Sequence, residues 1–72
     1  MYKIYRVYSK VEGKGWKEEG DNTNRQKALE YALLLFIEYG NAKLKVVKFT
    51  GEAGQWRFYE PVINMKPGKK AR

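Results

Sequence analysis

The 72-residue chain carries 15 Lys and Arg against 8 Asp and Glu, a formal charge of +7, and it contains no Cys and no His. Its length bounds it to one domain or less. Without cysteine there is no disulfide framework, zinc knuckle or thiol nucleophile, and without histidine Ser-His-Asp and Cys-His catalysis and the commonest metal ligand are absent.

Two Trp, six Tyr and three Phe within a 43% hydrophobic composition suffice for one small core and argue against a disordered chain. A chain this short buries only about 60% of its unfolded surface, so that core has little margin. The longest apolar run, Tyr31 to Ile37, falls far short of the roughly 20 residues that span a bilayer. The N-terminus alternates charge with aromatics and does not read as a signal peptide. A cytoplasmic location with no membrane partner is therefore the expectation.

Residues 1–11 alternate with period two, which predicts a strand. Tyr2, Ile4, Arg6, Tyr8 and Lys10 lie on one face, and Lys3, Tyr5, Val7, Ser9 and Val11 on the other. Glu12-Gly13-Lys14-Gly15 reads as a turn. Trp16 to Glu19 reads as a short return strand closed by Gly20-Asp21-Asn22. A helix then opens at Thr23 or Asn24. Thr23 with Gln26 forms a capping box, and Asn24 is the competing cap. The helix runs to about Tyr39, where Gly40-Asn41 supplies a left-handed stop. Ala42 to Thr50 is a strand, Gly51 to Gly54 a hairpin turn, and Gln55 to about Ile63 the partner strand, with Pro61 marking an edge. The order β-(β)-α-β-β predicts an α+β sandwich of two layers: a small antiparallel sheet of three to four strands with one helix on one face. Residues 1–63 would form the domain and 64–72 a basic, flexible tail.

The charge is unevenly placed. Residues 1–22 contribute +1, 23–40 zero, 41–63 +2, and 64–72, with Lys66, Lys69, Lys70 and Arg72, contribute +4. Such a terminal block reads as an arm for nucleic acid or another acidic surface.

One helix leaves one sheet face uncovered. Burying Arg6 unpaired would be costly, so Tyr5, Val7 and Val11 are expected against the helix, and Tyr2, Arg6 and Tyr8 on the open face. On the last strand Trp56 and Phe58 are expected in the core, which turns Arg57 and Tyr59 outward. The strand 42–50 changes phase, and a bulge near Val46-Val47 would place Lys43, Lys45 and Lys48 outward. Tyrosines interleaved with cations suit single-stranded nucleic acid, since bases stack on rings while cations follow phosphates. The aromatic-glycine motif and element order of the RRM fold are absent.

The helix is more apolar than one stripe requires. Leu29, Ala32, Leu33 and Phe36 lie in one broad arc, whereas Leu34 and Ile37 fall among Glu30, Glu38 and other polar positions. Either the Trp16 loop or the segment Val62, Ile63, Met65 covers them, or Leu34, Ile37, Glu30 and Glu38 form a contact with a protein partner or a second copy.

Catalytic chemistry is sparse. Gly13-Lys14-Gly15 lacks the third glycine and following helix of a phosphate cradle. Glu18-Glu19-Asp21 lacks EF-hand spacing, and Ser9 has no base to activate it. The expectation is a non-enzymatic binding module for nucleic acid or a nucleoprotein, with no cofactor and no metal. The alternative is a protein-binding adaptor or inhibitor, or a homodimer, using the helix or a sheet edge. In size and strand–helix–strand–strand order the chain resembles small basic phage-encoded factors, anti-CRISPR inhibitors among them. That resemblance includes no motif and carries no residue roles.

Overall fold

A computed structural model of the chain describes residues 2–52 and 54–68. Four strands and one helix follow in the order β1 (Tyr2–Lys10), β2 (Lys17–Asn22), α1 (Arg25–Tyr39), β3 (Lys43–Glu52) and β4 (Gln55–Met65). The strands form one antiparallel sheet in the order β2-β1-β3-β4, with the helix on one face. The fold is the expected α+β two-layer arrangement.

β1 and β3 form the centre. They pair without interruption from Tyr2↔Gly51 to Lys10↔Lys43. Directly opposed residues share a face, so this register sets both sheet surfaces at once. Tyr5, Val7 and Ser9 on β1, with Leu44 and Val46 on β3, are buried against Ala28, Ala32 and Leu35 of the helix, and Ala42 closes one end. Leu29, Phe36, Tyr39, Val62 and Met65 pack around this cluster. The two alanines let the helix axis approach the sheet, and each large buried aliphatic contributes about 1.5–3 kcal/mol.

The helix ends follow from local chemistry. Asn24, and not Thr23, is the N-cap: its Oδ1 accepts the Lys27 backbone N–H at 3.0 Å. Asn22 Oδ1 in turn accepts the Asn24 N–H at 2.7 Å. Gly40, at φ +79°, stops the helix and donates its N–H to Phe36 O at 3.2 Å.

Several boundaries depart from the sequence reading. β2 starts after Trp16 and includes the residues expected to close it, Gly20-Asp21-Asn22. Val11 lies past β1 and is exposed. β4 continues through Asn64 to Met65. The expected bulge at Val46-Val47 is real, but the extra residue belongs to β4: Val46 pairs with Ile63 and Val47 with Pro61, leaving Val62 unpaired. β3 therefore keeps strict alternation. Lys48 stands opposite Tyr5 on the helix side, not on the open face, and its Nζ lies 3.9 Å from Glu60. Leu33, expected in the core arc, is 50% exposed, because the helix rests on the 28/32/35/39 line.

The described chain is elongated, 48 × 24 × 16 Å, with a radius of gyration of 13.2 Å against about 11 Å for a compact chain of this length. The eleven-residue β4 spans about 36 Å. The fifteen-residue helix spans about 22 Å, so it cannot cover the whole sheet.

One carboxylate ties β2 to both layers. Glu19 is the unpaired residue at the β2 bulge, and its Oε2 accepts from Ser9 Oγ at 2.5 Å and from the Tyr39 hydroxyl at 3.0 Å. The hydrogen bond to Glu19 is the main cause that raises the Tyr39 phenol above its ordinary pKa; burial and the nearby negative charge act in the same direction. A raised native pKa means that this contribution to stability is fully present below the unfolded value of about 10 and is lost as pH rises through the native value. Alkaline spectrophotometric titration is expected to show a phenol ionising above the ordinary tyrosine range. That phase should vanish in Tyr39→Phe and move down in Glu19→Gln.

Candidate nucleic-acid interface

The face of the sheet away from the helix is built from residues that alternate with the core. On β1 it presents Tyr2, Ile4, Arg6, Tyr8 and Lys10. The register places Gly51, Phe49, Val47, Lys45 and Lys43 of β3 opposite them in that order. β2 adds Glu18 opposite Tyr8 and Asp21 opposite Arg6. β4 adds Trp56 opposite Gly51, Tyr59 opposite Phe49, Pro61 opposite Val47 and Asn64 opposite Lys45.

Two aromatic groups stand on this face. The first surrounds Lys45, whose Nζ lies 4.2 Å from the Trp16 ring centroid and 5.3 Å from that of Tyr8; Lys10 Nζ is 5.9 Å from the Trp16 centroid. Trp16, just before β2, thus folds over the sheet and not over the helix. Each exposed cation–π contact is worth about 0.5–1 kcal/mol. The second group centres on Phe49. Trp56 and Tyr59 flank it with ring centroids 6.2 Å away in both cases, tilted by 46° and 37°. Trp56 is 39% and Tyr59 74% exposed.

Arg6 joins the groups. Its Cζ stands 5.1 Å from the Phe49 centroid, while Nε approaches Glu18 to 3.3 Å and Nη2 approaches Asp21 to 3.5 Å. The Nε contact is an ion pair without hydrogen-bond alignment, so Nε has no hydrogen-bonded partner among the described residues. Burial acts to lower the Arg6 pKa, but the Tyr8 side chain, Glu18 and Asp21 together outweigh it, and the net shift is upward. The guanidinium stays charged at every working pH. Among the described residues the paired strands place four cations (Arg6, Lys10, Lys43, Lys45) and two carboxylates (Glu18, Asp21) on this face, a net +2. The carboxylates sit beside Arg6, which leaves the three lysines at the Trp16 end with the uncompensated charge.

The face thus brings together Tyr2, Arg6, Tyr8, Lys43, Lys45 and Tyr59 of the candidates read from sequence. Arg57 leaves the expected alternation: it is the unpaired residue between Gly51↔Trp56 and Thr50↔Phe58. This bulge moves Trp56 from its expected core position to the open face. Phe58, also expected in the core, is 64% exposed on the helix side of β4, beyond the helix's reach. Lys66 is exposed just after β4. Lys69, Lys70 and Arg72 lie outside the described residues. Trp16, Phe49 and Trp56 were not among the sequence candidates. Gly51 was the available signal, since a glycine inside a strand marks a bulge or a close backbone approach.

The second candidate surface lies on the opposite layer. Leu34 and Ile37 are 64% and 68% exposed, and with Leu33 and Glu30 they form one stripe on the outer side of α1. Gln26 Nε2 donates to Glu30 at 3.2 Å, and Glu38 is exposed. Val62 and Met65 pack against the core and leave the stripe open.

Among the described residues no helix is long and apolar enough to cross a membrane, and no group of three or more acidic side chains is placed to hold a metal ion. No family model, curated protein or solved structure matches the chain.

The β4 bulge depends on Gly51. A Cβ there would fall on the Gln55 carbonyl oxygen and within 2.9 Å of Trp56 Cα and Arg57 N, all backbone atoms. Gly51→Ala is expected to force the hairpin apart at this point. Nuclear Overhauser contacts between the Phe49 and Trp56 rings should disappear; if they persist, the bulge does not need the glycine.

Proposed function

We propose that this protein is a non-enzymatic binding module that contacts nucleic acid, or a nucleoprotein through its nucleic-acid component, by way of the open sheet face. The observation that carries the reading is the joining on one uncovered face of Trp16, Tyr8, Phe49, Trp56 and Tyr59 with Lys10, Lys43, Lys45 and Arg6. Aromatic rings offer stacking surfaces, and the flanking cations attract phosphates. The terminal cations Lys66, Lys69, Lys70 and Arg72 add a sequence-independent electrostatic term.

The test is a titration of labelled oligonucleotide with the full chain at low and high salt. Binding is expected at low salt, with affinity falling on a log–log plot by roughly 0.7–0.9 per phosphate neutralised. Lys66→Gln/Lys69→Gln/Lys70→Gln should flatten the slope without abolishing binding. Absence of binding at low salt removes the reading.

A second reading is favoured by the uncovered stripe Leu33, Leu34 and Ile37 on α1: a contact with a protein, as adaptor or inhibitor, or with a second copy. Sedimentation over a concentration series should show mass increasing with concentration and reverting to monomer in Leu34→Lys if the contact is with a second copy. A mass that stays monomeric throughout excludes that version.

A further inference from the structure

We infer that the open face takes single-stranded nucleic acid in preference to duplex, holding unstacked bases at two stations, Trp16/Tyr8 and Phe49/Trp56/Tyr59. This rests on the nucleic-acid reading above and specifies its ligand.

Three observations carry it. First, the exposed rings can be used only by a ligand with free base faces. In a duplex those faces are buried in the stack, and a ring on a broad sheet reaches neither them nor the base edges deep in a groove. Tyr59 and Trp56 project from the edge strand, where a single strand can lie across them. Second, the cations are few and concentrated at one end. Lys10 and Lys45 stand by Trp16, with Lys43 opposite Lys10 at the same end of the sheet, while Arg6 is held by Glu18 and Asp21. The pair of carboxylates at the β2 border would repel the second backbone of a duplex, whereas one backbone can follow the lysines and avoid them. Third, the stations are suitably spaced. Lys45 and Phe49 are four residues apart on β3, about 13 Å at strand rise. That distance is about four nucleotides at the 3.4 Å spacing of a stacked strand, and fewer where the bases are splayed apart.

Within this arrangement Lys45 is a switchable partner. Its ammonium rests over Trp16, 4.2 Å from the centroid, and covers one face of the ring. An incoming phosphate draws the ammonium away as a base takes the indole face. Ligand binding should therefore change Trp16 emission through Lys45 as well as by direct stacking.

The experiment compares ~10-nucleotide single strands, oligothymidylate and oligouridylate, with a duplex of equal length, within the usual site sizes for such surfaces. Fluorescence anisotropy is read with the full chain, at low salt and at a salt concentration that suppresses the electrostatic term. The two single strands separate DNA from RNA as the source. Both single strands, or one of them, should bind more tightly than duplex and should keep measurable affinity at the higher salt, where duplex binding is lost. Tyr59→Ala and Trp16→Ala should each weaken single-strand binding about 5- to 150-fold, the effect of one stacked base. Tyr59→Phe, which keeps the ring, should restore it. Lys45→Met should reduce the salt slope by about 0.7. Circular dichroism of each variant reports the fold, and Tyr59 is exposed enough that its removal leaves the core intact. Equal or tighter binding of duplex overturns the inference, as does an affinity unchanged in both alanine variants, while the parent reading stands. Failure of every probe to bind at low salt overturns the parent reading instead.

Discussion

The rest of the structure depends on the uninterrupted pairing of β1 with β3. Nine consecutive opposed pairs, Tyr2↔Gly51 through Lys10↔Lys43, place one set of side chains under the helix and the other on the open surface. A one-residue slip of β1 would put Arg6 into the core and Val7 into water, and a slip of β3 would do the same to Lys45 and Val46. The energetic gap between those arrangements is large: one buries aliphatics, the other unpaired charges. Hydrophobic burial on one face thereby also specifies the chemistry of the other, although no single open-face contact is strong.

The outer strands relax the alternation that the central pair enforces, and each does so for a local reason. On β2, the extra residue Glu19 directs its carboxylate toward Ser9 and Tyr39 on the helix side, while Glu18 and Asp21 remain beside Arg6. On β4, unpaired Val62 joins the core and unpaired Arg57 lets Trp56 approach Phe49. The three bulges distribute charged and aromatic groups without disturbing the centre, which fits the general tendency of bulges to re-aim side chains at sheet edges. Gly51 permits the second β4 bulge because any side chain there would meet backbone.

The small core and the exposed apolar surfaces have one origin. A fifteen-residue helix on a four-stranded sheet covers mainly β1 and the near part of β3, so the far part of the β3–β4 hairpin has no second layer. Phe58 on one side of it, and Trp56 and Tyr59 on the other, remain accessible. The helix itself uses the narrow Ala28, Ala32, Leu35 and Tyr39 line with Leu29 and Phe36 beside it, and Leu33, Leu34 and Ile37 face away. The two exposed surfaces therefore lie on opposite layers and can be engaged independently.

Much of this was legible in the chain. Strict alternation over residues 2–10, the Gly40-Asn41 stop and the strong β formers after Ala42 specify the elements and their order, because these signals are local. The covered face of β1 was also readable, since Arg6 at its centre cannot be buried without partners. The absence of His and Cys bounded the chemistry from the start. Which strand carries the extra residue at a bulge was not legible. Whether an extra residue falls in β3 or in β4 depends on which pairing best satisfies both neighbours, and that is a property of the assembled sheet. Lys48 and Trp56 depart from the sequence reading for this reason, and Phe58 because the helix is too short to cover its end of the hairpin. The charge of +7 stands as counted, but only the tertiary structure shows Arg6 held by Glu18 and Asp21 and the lysines gathered around Trp16. Sequence determines how many charges and rings there are and which strand face they favour. Cross-strand register decides which of them become neighbours, because those contacts join residues far apart in the chain.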